Sequence, residues 1–299
     1  MIAYNPKSWF TFIFKLHKAD TIQRLFPMLI LIGLYAAAIV FLELNVFKLS
    51  KEHLAKNLTV VHSLLGLVLS LLLVFRTNTA YDRWWEGRRL WGQLVNSSRS
   101  LAIKLDAIFT ADDHDNRTFF AESISLYASV LSSHLAAEST RLILDEIEHP
   151  ELENIDEQAH HMPNQISMIL MNRTHELLQS KKIIPEHLLF INNELTSFTD
   201  VCGGCERIKN TPIPFSYNLF IKKFIFFYVM SFPYGFVFSL GYFVIPVMMF
   251  IFYVLVSLEL IAEEIEDPFN RDPNDLPTNK IAENINKNVN EILLFQKNN

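Results

Sequence analysis

Hydrophobic and polar positions divide the chain into long uncharged stretches and a polar block. Three stretches contain no Asp, Glu, Lys or Arg: residues 25–42, 58–75 and 224–258. A helix needs about 20 apolar residues to cross the hydrocarbon core of a bilayer, with a lower limit of about 17, so each of the first two can form one span. The third is too long for one span, and FPYG at 232–235 favours a turn near its start. We therefore predict a helical hairpin over 215–231 and 236–258, and four membrane spans in all.

The polar block, residues 83–214, has helical periodicity and almost no strand signal. Its apolar residues recur at spacings of three and four, as at Trp84, Leu94 and Leu101. We predict a loop at 111–115, a loop or frayed segment at 149–164, a chain break at CGGC (202–205), and further helices over 119–144, 165–180, 185–199 and 280–295. The predicted fold class is an all-α integral membrane protein. Its predicted parts are an N-terminal segment (1–24), spans one and two (25–82), the helical region (83–214), spans three and four (215–258) and an acidic tail (259–299).

Composition and charge narrow the class of protein. Half of the residues are hydrophobic, which is high for a soluble domain, and the net charge of −6 gives no basic field for nucleic acid. Lys and Arg are concentrated before the first stretch and after the second, which predicts that both termini and the polar block lie in the cytoplasm. The expected location is an inner membrane, with lipid as a partner. The two cysteines, Cys202 and Cys205, rule out a disulfide framework.

Candidate chemistry in the polar block is sparse. Cys202-Gly203-Gly204-Cys205 lacks the βαβ context of a redox motif and the further ligands of a zinc site, so a helix terminus is the plainer interpretation. His160 and His161, with Glu157 nearby, suggest a metal but fit a solvated loop better. His134 shares a helix face with Glu138, which is an ordinary stabilising spacing. Because no nucleophile–base motif is present, we expect neither an enzyme nor a cofactor.

The most informative stretch is residues 64–85, where an apolar run continues into charged residues without Pro or Gly at the junction. Ser63, Gly66 and Ser70 form a stripe of small residues that allows close helix packing. Leu67, Leu71 and Phe75 form an adjacent apolar stripe, called here the neck stripe. The neck stripe either faces lipid or, if several copies pack through the small stripe, lines a shared axis as a narrow constriction that gates by dewetting. One long helix would then have a membrane half and a cytosolic half.

The stretch resembles the bestrophin family, and the similarity extends in order along nearly the whole chain. The matching blocks are Trp9-Phe10, Phe75-Arg76, Tyr81-Asp82-Arg83-Trp84-Trp85, Arg89-Leu90-Trp91-Gly92, Gly203-Gly204-Cys205-Glu206-Arg207, Thr211-Pro212-Ile213-Pro214, Glu263-Glu264-Ile265-Glu266-Asp267-Pro268-Phe269 and Asn274-Asp275-Leu276. The GGCER and ExEDPF blocks look most like the bacterial branch. The resemblance implies a homopentamer around one central pore, passive ion flow, and an apolar neck formed by Leu67, Leu71 and Phe75.

The resemblance also implies a second constriction at the cytosolic exit, which falls on Glu186. Better-known relatives have an aliphatic residue there; five carboxylates would favour cations. We therefore expect a channel for small monovalent ions that prefers cations, sodium included, with chloride as the alternative. Animal members are calcium-gated chloride channels with a clasp after Pro-Phe. The matching segment here keeps only Asp267, Asp272 and Asp275 as a weak remnant, and we expect no calcium gating. A secondary transporter and a non-conducting scaffold are the remaining function classes.

Overall fold

The structure is a computed structural model that describes residues 21–47, 54–136 and 161–295. No strand occurs within these residues, which confirms the all-α prediction. The α-helices are α1 (Thr21–Phe41), α2 (Leu54–Ile108), α3 (His114–Leu135), α4 (Met162–Gln179), α5 (Pro185–Asn210), α6 (Phe215–Leu240), α7 (Val244–Glu266) and α8 (Thr278–Leu293). Predictions for residues 1–20 and 137–160, including Trp9-Phe10, His160 and Glu157, lie outside the described residues.

Helix α2 is one uninterrupted helix of 55 residues, as the sequence predicts. No proline lies in it, and its internal glycines pack against neighbouring side chains. A Cβ on Gly87 would lie 3.0 Å from the ring of Phe269, so the absence of a side chain admits that ring. Helical continuity through glycine is therefore stabilised by packing, which outweighs the weak helix propensity of glycine.

The chain forms two compact units, and α2 contributes to both of them. The first, called here the apolar unit, comprises the described residues up to Arg83 together with 212–267 and 272–274. Helices α1, α6 and α7 pack on one another there around a core of apolar residues. That core includes Leu25, Ile32, Ala36, Leu69, Leu73, Ile221, Ile225, Val244 and Met248.

The apolar unit also carries large apolar side chains on its outer surface. Leu31, Leu34 and Phe250 are each more than 60% exposed. Three segments are long and apolar enough to cross a membrane: Thr21–Val46, Leu58–Ile108 and Phe215–Glu266. The last of these contains α6, a short 3-10 turn at Gly241–Phe243, and α7.

The predicted turn at 232–235 is wrong, because α6 continues through it to Leu240. Pro233 lies inside the helix, and the rings of Phe232 and Phe236 stack on one another with centroids 4.4 Å apart. The chain reverses instead at Gly241, whose φ of 55° is a left-handed conformation that glycine adopts without steric cost. Proline inside an apolar helix is tolerated when neighbouring groups satisfy the backbone.

The second unit, called here the polar unit, comprises the described parts of 84–211, 268–271 and 275–295. Helix α3 lies at its centre and contacts α4, α5 and α8. Arg117 on α3 donates hydrogen bonds to the carbonyls of Phe109 and Leu293, which lie where α2 and α8 end. A buried cation thus satisfies carbonyls that helix ends leave without a partner.

Helix α5 differs from the prediction because it includes Cys202–Cys205 rather than ending before them. The two glycines do not break the helix. A Cβ on Gly204 would lie 2.9 Å from both terminal methyl groups of Leu90, so this glycine serves close packing between α5 and α2. The chain breaks only at Thr211, before the proline-rich stretch that precedes α6.

Candidate functional site

The neck stripe is exposed along one face of α2. The exposed fractions are 62% for Leu67, 53% for Leu71 and 62% for Phe75. The opposite face of the same helix is buried, with Leu69 at 1% and Leu73 at 3%. A single copy of the chain therefore leaves the neck stripe uncovered, and either lipid or further copies must cover it.

The three small residues next to the neck stripe have different surroundings. A Cβ on Gly66 would lie 2.6 Å from the hydroxyl of Tyr228 on α6, so Gly66 admits a side chain of its own subunit. Ser63 and Ser70 are exposed, and their hydroxyls donate to the carbonyls of Thr59 and Gly66 within α2. The hydroxyl groups of the two serines are thus hydrogen-bonded within α2, and only small side chains project from this part of the exposed face.

A buried charge cluster lies directly after Phe75. Arg76 is 1% exposed and donates from Nη2 to Glu266 Oε2 at 2.7 Å. Its Nε lies 3.5 Å from Glu259 Oε1. Glu266 also accepts hydrogen bonds from the Ile213 backbone and, at its carbonyl, from Arg83. The residues that carry the family resemblance at Phe75-Arg76 and in the ExEDPF block thus meet in one network that anchors α2 to the end of α7.

Glu186 lies in the first turn of α5, next to Pro185 at the first helical position. Its side chain is exposed. A carboxylate in the first turn interacts favourably with the helix dipole and the free N–H groups there. Ile184, the residue before the helix, and Leu189 are exposed apolar neighbours of Glu186 in sequence.

The three carboxylates of the weak calcium-clasp remnant differ in exposure. Asp275 is 1% exposed, Asp267 is partly buried and Asp272 is exposed. Asn274, in the same segment, donates to Glu264 Oε2 at 2.6 Å. The side-chain amide of Asn274 is therefore engaged in a hydrogen bond within the segment that matches the calcium clasp.

Cys202 and Cys205 are buried thiols in the core of the polar unit. Burial raises the pKa of Cys202 to about 12, with a further contribution from the charge of Glu206. Burial raises the pKa of Cys205 as well, with smaller contributions from Cys202, Glu206 and Glu86. Because thiolate is the reactive form, a raised pKa makes both cysteines inert at neutral pH. This supports the prediction that CGGC is not a redox motif.

The structure brings together three residues that the sequence analysis considered only separately or not at all. His134 Nε2 lies 2.7 Å from Glu206 Oε1, and His161 Nε2 lies 2.8 Å from the same oxygen. The two imidazole centroids are 4.9 Å apart. The sequence gives no local spacing for this cluster, because its members lie on α3, at the start of α4, and on α5.

Comparison with known proteins gives a family that covers the chain. The sequence profile described as Bacterial/Fungal Bestrophin protein matches residues 1–291. The chain belongs to the bestrophin family. This confirms the resemblance that the sequence motifs indicated.

Named members of the family include channel-forming proteins of similar length. The chain is 29% identical to a voltage-dependent anion channel-forming protein of Nostoc sp. over 98% of this chain and 94% of that protein. It is 30% identical to a voltage-dependent anion channel-forming protein of Escherichia coli K12 over 100% of this chain and 94% of that protein. The crystal structure of a bacterial bestrophin homologue from Klebsiella pneumoniae matches with a TM-score of 0.81 and 27% identity, covering 90% of this chain and 98% of that one. Membership of this family confirms that the chain is not an enzyme.

Proposed function

We propose that the chain is an ion channel of a cell inner membrane, in which five copies surround an axis lined by α2. One observation carries the proposal. Leu67, Leu71 and Phe75 are exposed on a helix whose other face is packed into its own subunit. The names of the family relatives, which are channel-forming proteins, support the same function.

In this arrangement the neck stripe faces copies of itself and forms a hydrophobic gate. A narrow ring of leucine and phenylalanine side chains excludes water when it is closed. The ring therefore blocks ions, and no charged side chain has to move to close it. Ser63 and Ser70 allow neighbouring copies of α2 to approach. The segment Phe215–Glu266 supplies two spans, which gives four per subunit, with both termini and the polar unit in the cytoplasm.

The permeating ion is proposed to be an anion such as chloride. The names of the relatives fit this alternative better than the cation preference expected from Glu186. One exposed cation on α2, Arg89, supports the same choice. The helical spacing of 3.6 residues repeats after 18 residues, so Arg89 falls on the face of Leu71, and its side chain is exposed. A ring of arginines attracts anions and repels cations.

The test is ion flux through purified protein in planar bilayers with a potassium chloride gradient. We expect a reversal potential near the equilibrium potential of chloride. Arg89→Gln should move the reversal potential towards the equilibrium potential of potassium. Glu186→Gln should move it further towards anions. If the parent channel favoured cations and Glu186→Gln lost this preference, the chain would instead be a cation channel whose selectivity depends on Glu186.

The gate is tested in the same bilayers with Leu67, Leu71 and Phe75 replaced together by alanine. We expect a higher conductance and a larger leak, because a wider ring stays wet. Replacing the exposed lipid-side residues Leu31 and Leu34 by alanine is the matched control and should leave conductance unchanged. An unchanged conductance in the triple variant would disprove the gate. Saturable coupled flux would indicate a transporter, and no flux a scaffold.

A further inference from the structure

We propose that His134, His161 and Glu206 form a binding site for a divalent transition metal ion, with zinc as the best fit. Their ligand atoms, the two Nε2 atoms and Oε1, all lie within 4.8 Å of one another. The three residues belong to the polar unit and come from α3, from α5 and from the position that caps the start of α4. The neck stripe lies in the other unit, the apolar one.

The present distances need only a small adjustment to admit an ion. Zinc binds histidine nitrogen and carboxylate oxygen at about 2.0–2.2 Å, and tetrahedral ligands then lie about 3.4 Å apart. The two N–O distances are 2.7 and 2.8 Å, so Glu206 Oε1 has to retreat from each ring by less than 1 Å. The two Nε2 atoms, which lie within 4.8 Å of each other, have to reach the same spacing. All three side chains are partly exposed, so rotation of each of them can make these adjustments.

The types of ligand decide which metal is suitable. Two imidazoles and one carboxylate match the three-ligand zinc sites that leave a fourth position to water. Calcium and magnesium prefer oxygen ligands in larger number, so this site disfavours them. Copper and nickel also bind imidazole, and zinc is distinguished from them by its acceptance of a tetrahedral geometry.

The neighbouring hydrogen bonds indicate which ring nitrogen of His161 carries the proton when no metal is bound. The Nδ1 of His161 accepts a hydrogen bond from the Asn164 backbone at 3.3 Å, where it caps the start of α4. The ring proton of a neutral His161 therefore lies on Nε2, which donates to Glu206. Metal binding at Nε2 moves that proton to Nδ1 and breaks the cap hydrogen bond. Zinc binding should accordingly perturb the first turn of α4.

The exposure of the three side chains is consistent with an exchangeable ion. His134, His161 and Glu206 are 26%, 33% and 27% exposed. A site of this exposure lets a chelator remove the ion without unfolding the protein. The alternative is a cluster in which Glu206 only accepts hydrogen bonds from both rings, and the experiment separates the two.

The experiment uses the full-length protein in detergent, purified without a histidine tag and treated with a chelator. Zinc is then titrated against a chromophoric chelator. We expect one zinc per chain with a dissociation constant in the micromolar range or below. His161→Ala and Glu206→Gln should each weaken zinc binding at least tenfold. The matched control is His175→Ala. His175 is an exposed histidine on α4, the helix that His161 caps, and its replacement should leave zinc binding as in the parent.

Two further measurements separate a metal site from a folding defect. Cobalt, added in place of zinc, should give the visible absorption bands of a tetrahedral site, and these should be absent in Glu206→Gln. Thermal unfolding in chelator reports the fold of each variant. Failure of the parent to bind zinc at 100 times the protein concentration would overturn the proposal, as would equal zinc binding in His161→Ala and the parent. Variants that lose stability in chelator while the parent binds no zinc would show a hydrogen-bonded cluster only.

Discussion

The apolar and polar units place polar and apolar side chains in opposite ways. The apolar unit exposes Leu31, Leu34 and Phe250, while Arg76 is 1% exposed in its interior. The polar unit buries Trp91, Phe119 and Phe120, and its exposed positions include many charged side chains, such as that of Arg99. The difference indicates which solvent each unit meets. An apolar outer surface needs lipid or another copy of the chain, whereas a polar one needs water.

The buried arginines of the two units also differ. Arg117 in the polar unit has hydrogen bonds to backbone carbonyls and to Asp106, a half-exposed carboxylate. Arg76 in the apolar unit faces two carboxylates that are themselves buried, Glu259 and Glu266. Removal of Arg76 therefore leaves two buried negative charges, and removal of Arg117 leaves mainly carbonyls. We expect the apolar unit to depend more strongly on its arginine.

The largest expected effect is that of Arg76→Ala. Breaking a buried ion pair by removing one partner costs about 3–5 kcal/mol, because the remaining charge has lost its counterion. We expect the detergent-solubilised variant to unfold at a clearly lower temperature than the parent, and also below Arg117→Ala. The measurement is thermal unfolding followed by circular dichroism.

The control for Arg76→Ala is Arg99→Ala, which removes an exposed arginine from the same helix. It should change stability by no more than about 0.5 kcal/mol. If both variants unfolded at the same temperature as the parent, the network of Arg76 with Glu259 and Glu266 would not stabilise the apolar unit.

A second prediction compares the two faces of α2 within the apolar unit. Leu69→Ala removes a side chain that is 1% exposed and should cost about 2–5 kcal/mol. Leu67→Ala removes one that is 62% exposed, so it should leave the stability of a dissociated subunit nearly unchanged. The same change should weaken the assembled complex, because the proposed ring buries Leu67.

Unfolding temperature and the mass of the complex, measured by light scattering, separate these effects. A loss of stability for Leu67→Ala in a subunit that is already monomeric would contradict the exposed position of that face. Equal mass for parent and variant, together with equal melting, would indicate that lipid rather than another copy covers Leu67.

Local patterns were enough to predict much of the fold. The continuity of α2 followed from the absence of Pro and Gly at the junction between its apolar and charged halves, and the apolar stretches predicted the membrane-capable segments. The turn of the last hairpin was misplaced because Pro233 and Gly235 are strong turn signals in water. In a closely packed apolar helix the backbone stays hydrogen-bonded, and within Phe215–Glu266 the positive φ of the reversal lies at Gly241.

The candidate sites were harder to predict where their members are far apart in sequence. The neck stripe follows one helix, so its spacing alone placed Leu67, Leu71 and Phe75 on one exposed face. The cluster of His134, His161 and Glu206 brings together residues from α3, the start of α4 and α5. The sequence analysis paired the two histidines only with residues close to them in sequence, so it did not predict the cluster. Likewise, the glycines of CGGC suggested a helix end, because the sequence does not show that Leu90 packs against Gly204.

The smallest expected effect concerns the dry interior of the polar unit and the thiols of Cys202 and Cys205. Their pKa values in the folded protein are raised by burial, that of Cys202 to about 12, whereas an unfolded thiol has a pKa of about 8.5. The unfolded chain therefore loses protons first as the pH rises. The stabilising contribution is complete below about pH 8.5 and is lost progressively between about pH 8.5 and 12. At pH 9 the loss should be about 1 kcal/mol for each thiol.

Thermal unfolding between pH 7 and 9.5 measures this loss in the parent and in Cys202→Ala/Cys205→Ala. The double variant should be less stable at pH 7, because it loses buried side-chain volume, and its stability should fall less steeply with pH. The pKa of Tyr127 is raised by burial and, to a smaller extent, by both cysteines. An unfolded tyrosine ionises only at about pH 10, so Tyr127 contributes little to the slope in this pH range. Equal pH slopes would mean that water reaches the two sulfur atoms in the folded protein. The interior of the polar unit would then not be dry, and the contrast between the two units would hold for their outer surfaces only.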